Sequence, residues 1–236
     1  GIYKVDFYSN GNQNYSAAHL TKEIIISKAV PNMSIISNIN KFIYNGTKIN
    51  ITGKISGLNS QISATLDVNN VVIGSTDQSL SYYNATAGNY TVFLSTRGDN
   101  NYTARNLTDE FYILKAKPIM HINLSLGNFT YNGTDEIVSS NIISLYGQLN
   151  AQLYINGNLI RSSNSSIIYK NGTAGNYHIE FYTAGNQNYS NALLDDDFTI
   201  YKASPILSLN LYPDSSFTYN KNPLLAVGSI VSIGSQ

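Results

Sequence analysis

The chain has 236 residues, no cysteine, a formal net charge of zero and only 12% charged residues. Without cysteine it forms no disulfide and holds no thiolate-bound metal, and without excess basic residues it offers no extended face for nucleic acid. No apolar run reaches the roughly 20 residues that span a bilayer. These properties favour a neutral polar surface that does not bind nucleic acid, and no membrane span within this segment.

The chain repeats one block at a constant interval of 87 residues. The block begins at Gly1, returns at Gly88 (88 − 1 = 87) and returns again at Gly175 (175 − 88 = 87). A fixed interval of this length predicts an array of similar small domains. The same interval relates three further sets of residues: Tyr15, Tyr102 and Tyr189; Lys28, Lys115 and Lys202; Pro31, Pro118 and Pro205.

The phase of the repeat predicts two whole units and two partial ones. The whole units occupy residues 30–116 and 117–203. Residues 1–29 form the C-terminal part of one more unit, and residues 204–236 form the N-terminal part of another. A second repeated block, Phe42–Thr47 and Phe129–Thr134 in the whole units, starts one residue late in its third copy, at Phe217. We expect the chain to be a window on a longer array. The alternative is a protomer whose open ends accept strands from neighbouring copies.

Short apolar segments separated by turn residues predict the strands of each unit. In the first whole unit they are Ile49–Ile55, a hairpin of Ala64–Val68 and Val71–Gly74 around two asparagines, and a short strand that reaches Tyr83. Asn-Gly is a strong signal for a two-residue hairpin turn. The second whole unit repeats the pattern with Ile137–Leu145, Gln152–Ile155, the turn Asn156-Gly157, Leu159–Arg161 and a strand that reaches Tyr169.

The block that begins at Gly88 alternates in hydrophobicity with a period of two. Tyr90, Val92 and Leu94 share one face, and Thr91 and Phe93 share the other. This alternation predicts a half-buried strand, and a turn and a further strand follow it in every copy.

About seven short strands per 87-residue unit, with turns every 8–12 residues, predict an all-β fold of tandem immunoglobulin-like β-sandwiches. No segment has a convincing helical pattern. Each turn after the repeated block leads to one tyrosine of the set Tyr15, Tyr102 and Tyr189. We expect this ring to fold back over the end of the sandwich.

The segment AGNYTVFLSTRGDNNY, from Ala87 to Tyr102, and the phrase KAKP that ends at Pro118 carry a family resemblance. They resemble the immunoglobulin-like repeats of large bacterial cell-surface proteins, which archaea share. Two details depart from the family pattern: Gly-Asn-Gln replaces Gly-Asp in two units, and Thr96 and Thr183 stand where the family often has tyrosine. The resemblance implies a role in stalks, adhesins or surface layers. It does not imply a shared active site, because a shared fold does not fix function.

We therefore expect a non-enzymatic structural segment of an extracellular stalk, filament or surface layer at the cell surface, with no cofactor. Its partners would be neighbouring copies or further repeats of the same chain. The alternative is an adhesin module that binds carbohydrate or a partner cell. Both expectations follow from the resemblance and from the repetition, since arrays of small domains serve length and display.

N-glycosylation sequons recur in phase at predicted turns and strand entries. A chain rich in Asn and Thr also produces sequons by composition, and duplication copies them. We nevertheless expect N-linked glycans, because turns let a bulky group project into solvent. Dense glycans on a cysteine-free surface protein are more typical of an archaeon than of a bacterium. The in-phase candidates are Asn14, Asn101 and Asn188; Asn45 and Asn132; Asn84 and Asn171.

Two other features carry weaker hypotheses. The run Asp195, Asp196 and Asp197 is a possible Ca²⁺ site, since Ca²⁺ takes several oxygen ligands, but its in-phase counterparts are not acidic runs and a solvated strand edge is the favoured interpretation. Tyrosines on outward strand faces favour lateral contact with neighbouring copies, although tyrosine is also common in strands generally. These tyrosines are Tyr8, Tyr112, Tyr182 and Tyr201.

Overall fold

The computed structural model describes residues 1–58, 62–212, 216 and 218–231. Phe217, where the late copy of the second repeated block starts, lies outside them. The chain divides into two compact units, Gly1–Lys115 and Ala116–Gln236. Nearly all regular structure in the described residues is β-strand. The predicted all-β fold is therefore confirmed.

The first unit begins with a two-stranded antiparallel hairpin, followed by eight strands. The hairpin pairs Ile2 with Ile25 at one end and Ser9 with Ala18 at the other. The strands are β1 (Ile2–Ser9), β2 (Ala18–Ile25), β3 (Asn32–Ser37), β4 (Lys41–Ile43), β5 (Ile49–Ser56), β6 (Ala64–Val68), β7 (Val71–Thr76), β8 (Ser79–Asn84), β9 (Gly88–Thr96) and β10 (Arg105–Leu114).

Strands β3 to β10 form the two sheets of a sandwich. One sheet has the order β3-β5-β8, and the other has the order β4-β10-β9-β6-β7 with β4 parallel to β10. In immunoglobulin nomenclature this is an A-B-E sheet and an A′-G-F-C-C′ sheet. The strand order confirms the predicted immunoglobulin-like β-sandwich.

The core of the first sandwich consists of alternate residues from both sheets. Val92 and Leu94 on β9 are 1% and 0% exposed, whereas Phe93 between them is 36% exposed. On β10, Phe111 is buried and its ring stacks on that of Tyr90, with 4.5 Å between the ring centres. The face assignments made from the period-two pattern are therefore confirmed for this block.

The second unit repeats the architecture and adds a hairpin at its C-terminal end. Its sheets have the orders β11-β13-β16 and β12-β18-β17-β14-β15, and β19 pairs with β20. Among the described residues each sandwich has eight strands, because the first strand divides between the two sheets. The strands are β11 (Ile119–Leu124), β12 (Phe129–Thr130), β13 (Glu136–Ile143), β14 (Ala151–Ile155), β15 (Asn158–Ser163), β16 (Ser166–Asn171), β17 (Gly175–Thr183), β18 (Ala192–Tyr201), β19 (Ile206–Tyr212) and β20 (Leu225–Val231).

The predicted strand Ile137–Leu145 is wrong at its C-terminal end. Strand β13 stops at Ile143, and a short 3₁₀ turn spans Leu145–Gly147. Tyr146 has a φ of 55°, in the left-handed region that a strand does not use. The Leu145 N–H donates to the Tyr189 hydroxyl at 2.8 Å, so a contact with a distant tyrosine ends the strand.

Tyr102 and Tyr189 close one end of each sandwich, as predicted. They are 6% and 5% exposed. The Tyr102 hydroxyl accepts the Leu58 N–H at 2.6 Å, and Tyr189 makes the equivalent contact with Leu145. This end, which carries the turn between β9 and β10 or between β17 and β18, is called the FG pole below.

The opposite end of each sandwich carries the turns that precede β5 and β9. Ile49 at the start of β5 pairs with Asn84 at the end of β8, so these two turns are neighbours. The turn between β6 and β7 lies at the same end, because the Asn69 side chain donates to the Asn89 carbonyl at 3.1 Å. This end is called the A′B pole, and the second sandwich has the same arrangement, since Glu136 pairs with Asn171.

The Lys-Ala pair that precedes each sandwich, Lys28-Ala29 or Lys115-Ala116, is hydrogen-bonded to the FG turn of that sandwich. Ala29 N donates to the Asn101 carbonyl at 2.8 Å, and Thr103 N donates to the Ala29 carbonyl at 2.9 Å. The Lys28 ammonium donates to the Asp99 carbonyl at 2.6 Å. In the second unit Ala116 makes the equivalent bridge to Tyr189, so the Lys-Ala pair marks the start of a unit.

Candidate functional site

The A′B pole of each sandwich holds an Asn-Gly-Thr sequon in a tight turn. Asn45 and Asn132 are both exposed. The Asn45 side-chain carbonyl accepts the Thr47 N–H at 2.9 Å, and the Asn132 carbonyl accepts the Thr134 N–H at 3.0 Å. These are Asx turns, in which an asparagine side chain replaces a backbone acceptor. The glycines in the middle of the turns have φ values of 83° and 88°, which only glycine adopts without strain.

A second pair of sequons lies at the same pole, in the turn before β9 and before β17. Asn84 and Asn171 are half-buried, and their side-chain carbonyls accept the N–H groups of Thr86 at 2.8 Å and Thr173 at 2.9 Å. The Asn84 amide nitrogen, which is the atom that a glycan would occupy, donates to the Tyr82 hydroxyl at 2.9 Å. This pair is therefore less accessible than Asn45 and Asn132.

A tyrosine hydroxyl is hydrogen-bonded to the backbone of each of these half-buried sequon turns. The Tyr90 hydroxyl donates to the Thr86 carbonyl at 2.8 Å, and Tyr177 makes the same 2.8 Å contact with Thr173. Burial raises the pKa of Tyr90, with a further contribution from neighbouring Tyr82, so the hydroxyl stays protonated and able to donate. The sequon backbone is thus held in place independently of the asparagine.

The third set of sequons lies in the FG turns and in the turn of the β1–β2 hairpin. Asn14 and Asn101 are exposed, and Asn188 is half-buried. In each turn a preceding side chain accepts the N–H of the sequon asparagine: Asp99 accepts that of Asn101 at 2.7 Å. Asn12 and Asn186 do the same for Asn14 and Asn188, each at 2.8 Å. The three turns therefore have the same hydrogen bond, although the accepting residue is Asp in one turn and Asn in the other two.

The acidic run on β18 does not assemble into a metal site. Strand alternation places Asp195 and Asp197 on one face and Asp196 on the other. Asp197 instead contacts His178, with 2.8 Å between the carboxylate and the ring nitrogen. Among the described residues, no group of three or more His, Cys, Asp or Glu side chains lies close enough to hold a metal ion.

The pKa of His178 is raised by its environment. The hydrogen bond to Asp197 is the largest cause of the increase, desolvation opposes it, and the charges of Asp197, Glu180 and Asp195 add smaller increases. All four groups are exposed or half-buried. The outer face of β17 and β18 is therefore an acidic surface with one titrating histidine.

The outward tyrosines differ in exposure. Tyr8 and Tyr201 are 69% and 53% exposed, whereas Tyr112 and Tyr182 are half-buried. The Tyr112 hydroxyl donates to the Glu110 carboxylate, and this contact raises the pKa of Tyr112. A lateral contact through these residues stays a prediction.

The sequence pattern did not reveal the role of Glu136, which is fully buried in the second sandwich. Its carboxylate accepts the N–H groups of Ser125 at 2.6 Å, Leu126 at 3.1 Å and Gly127 at 2.9 Å. The in-phase residue of the first sandwich is Ile49 (136 − 87 = 49), which is also buried. The sequence could have indicated this role, because Glu136 stands in phase with an apolar core residue and a buried carboxylate requires hydrogen-bond donors.

Two open clefts on the first sandwich have a polar lining. The first has a volume of about 510 Å³ and includes Lys54, Asp77 and Gln78 in its lining. The second has a volume of about 530 Å³ and includes Asp67 and Arg97. Such linings suit water or polyhydroxy compounds better than apolar ligands. In the described residues, no helix is long and apolar enough to cross a membrane.

Comparison with known proteins does not assign the chain to a family. No family model matches the chain, and no curated protein matches it. The chain is similar to the fibronectin(III)-like modules of Clostridium thermocellum CbhA, at 13% identity and a TM-score of 0.31 over 72% of this chain and 95% of that one.

Two other solved structures are similar at the same low level. The central fibronectin-III array of RIM-binding protein has 12% identity and a TM-score of 0.28, over 79% of this chain and 76% of that one. A marsupial T cell receptor has 11% identity and a TM-score of 0.31, over 78% of each chain. Likenesses this low carry no argument, so the immunoglobulin-like fold rests on the strand order given above.

Proposed function

We propose that this chain is a structural segment of an extracellular stalk, filament or surface layer, built from tandem immunoglobulin-like units that carry N-linked glycans at the cell surface. Repetition of one self-contained sandwich gives length without new chemistry. The partners of such a segment are further repeats of the same chain or neighbouring copies.

The observation that carries this proposal is the recurrence of the A′B-pole sequons. Asn45 and Asn132 occupy the same exposed turn of two successive sandwiches, with side-chain contacts of 2.9 Å and 3.0 Å to the threonine N–H groups. The duplicated segment folds into the same exposed turn in both sandwiches, so both asparagines present their side chains in the same way. A glycan on either residue would project into solvent without displacing core residues.

The connection between units supports a mechanical role. Leu114 ends β10, and Ala116 already bridges to Tyr189, so one residue, Lys115, separates the two frameworks. A short connector transmits tension between folded units better than a flexible linker of many residues.

Site-resolved mass spectrometry of glycopeptides from the native protein tests the proposal, together with immunogold labelling of intact cells. We expect glycans on Asn45 and Asn132 first, and then on Asn84, Asn171 and Asn101. Surface labelling should appear without permeabilising the cells. Unmodified asparagines at all candidate sequons, or labelling confined to the cell interior, would contradict the proposal.

The second candidate function is an adhesin module that binds carbohydrate. The polar cleft with Lys54, Asp77 and Gln78 in its lining favours it. A glycan array probed with the full chain distinguishes the two functions. Binding that the double substitution Lys54→Ala and Gln78→Ala abolishes would favour the adhesin, and no binding would favour the structural segment.

A further inference from the structure

Asn-Gly pairs occur at five places in this chain, and their surroundings differ. In such a pair the backbone nitrogen of glycine can attack the side-chain carbonyl carbon of asparagine, because glycine has no side chain to hinder the approach. Asparagine is accordingly one of the heat-labile residues of proteins. The pairs begin at Asn10, Asn45, Asn132, Asn156 and Asn171.

The turns at Asn45 and Asn132 hold the asparagine side chain beside the backbone of the glycine that follows it. The hydrogen bond from Thr47 N–H to the Asn45 side-chain carbonyl, at 2.9 Å, closes a ring that contains the Gly46 nitrogen. The same ring exists at Asn132, with a bond of 3.0 Å.

Asn156 has the same Asn-Gly sequence and is exposed too, but its side chain is held elsewhere. Its side-chain carbonyl oxygen accepts the backbone N–H of His178 at 2.7 Å, and its side-chain nitrogen donates to the backbone carbonyl of Asn176 at 3.1 Å. Both contacts are with the neighbouring strand β17. The Asn156 side chain is therefore held against β17, and both of its polar atoms are engaged.

We propose that Asn45 and Asn132 are sites of spontaneous deamidation in the folded chain, and that Asn156 is protected. The Gly46 nitrogen bonds to the side-chain carbonyl carbon of Asn45 and gives up its proton, the bond from that carbon to the amide nitrogen breaks, and ammonia leaves. Water then opens the five-membered imide at one of its two carbonyls and yields aspartate or isoaspartate. The reaction consumes one water, releases one ammonia and needs no oxidant or cofactor.

The reaction changes the A′B pole in two ways. Each event adds one negative charge to a chain whose formal net charge is zero, and the isoaspartate product also lengthens the backbone at the entry to β5 or β13. On the proposed function, a glycan at the same nitrogen would block the release of ammonia. Glycan occupancy and deamidation would then exclude each other at Asn45 and Asn132.

The test uses the full chain made in a host without N-glycosylation, so that its outcome does not depend on whether the native protein carries glycans. The folded chain is incubated at mildly alkaline pH, and peptide mass spectrometry with isoaspartate detection follows each Asn-Gly pair over time. We expect Asn45 and Asn132 to react faster than Asn156 by on the order of tenfold or more, since small displacements of reacting groups lower a rate strongly.

Two controls keep the test specific to the folded geometry. In denaturing urea the advantage of Asn45 and Asn132 over Asn156 should disappear, because the clamp on Asn156 is lost. Asn45→Gln should remove the product at that turn and leave Asn132 unchanged. Equal rates in the folded chain, faster reaction at Asn156, or no reaction at Asn45 and Asn132 would overturn the proposal.

Discussion

The β1–β2 hairpin and the β9–β10 hairpin have the same sequence pattern in different surroundings. Val5 is 49% exposed, while Val92 at the same position of the repeat (5 + 87 = 92) is 1% exposed. Tyr15 is 76% exposed, and Tyr102 is 6% exposed. The strands and the turn therefore depend on local sequence, whereas burial depends on strands that are distant in sequence.

This difference has an energetic meaning. The hydrophobic contribution of a side chain grows with the apolar area that folding removes from water. A two-stranded hairpin by itself is marginally stable at best, because neither face is covered. The two hairpins should therefore respond very differently to identical substitutions, and the largest difference is expected at the aromatic core residues.

Phe111→Ala should lower the free energy of unfolding of its unit by about 3–5 kcal/mol, as for other buried phenylalanines. Phe7→Ala is the matched control on the other hairpin, where the ring is 75% exposed. We expect that variant to change stability by about 0.5 kcal/mol or less. Urea denaturation of both variants measures the difference, and similar losses would show that the hairpins are buried alike.

Tyr102→Ala should destabilise the first unit by about 2–4 kcal/mol, because the ring and its contact with the Leu58 N–H are both lost. Tyr102→Phe keeps the ring and leaves that N–H without its acceptor, which should cost about 1–2 kcal/mol. Tyr15→Ala, on the exposed hairpin, is the matched control and should have little effect. Thermal melting checks all three, and an unchanged melting temperature for Tyr102→Ala would refute the closing role of the ring.

Glu136→Gln tests the hydrogen bonds between the buried Glu136 carboxylate and backbone N–H groups, which only the folded second sandwich brings together. Replacing one carboxylate oxygen by an amide NH₂ puts a donor either against the Ser125 N–H or against the N–H groups of Leu126 and Gly127. We expect a loss of about 1–3 kcal/mol in the stability of the second unit. Asp135→Asn, at the adjacent exposed position, removes the same charge and should be nearly neutral. Equal effects of the two substitutions would show that charge, not the buried hydrogen bonds, matters.

The smallest effect concerns pH. The pKa of His178 is raised above 6.5 by Asp197, so protonation of this histidine favours the folded state. The contribution is fully present below the unfolded pKa and is lost as the pH rises through the folded-state pKa. An NMR titration should place the His178 pKa above 6.5, and Asp197→Asn should lower it. No change in that variant would mean that the contact is absent in solution.

The repeat predicted the fold well because strand identity is local. Alternation marked β9 and β17, and the turn residues marked the hairpin β6–β7 at the observed residues Ala64–Val68. The buried tyrosines were predictable because three copies show the same residue after the same turn. The sequons could be found by their motif, and their turns were expected.

Other features depend on contacts that a single sequence does not reveal. The end of β13 is set by the hydroxyl of Tyr189, which is 44 residues from Leu145 along the chain. The clamp on Asn156 is made by the backbone of β17, and the exposure of Asn84 is limited by Tyr82. The acidic run on β18 looked like a cluster in sequence, yet strand alternation divides it between two faces.

Hydrogen–deuterium exchange with site resolution over the full chain tests the central comparison most directly. The amides of Val92 and Leu94 should exchange slowly, at rates near that of global unfolding of the unit, because the sandwich covers them. The amides of Val5 and Phe7 should exchange much faster in the same sample. Equal protection of the two hairpins in this 236-residue chain would contradict the conclusion that contacts with strands distant in sequence, rather than the repeated sequence itself, protect the β9–β10 hairpin.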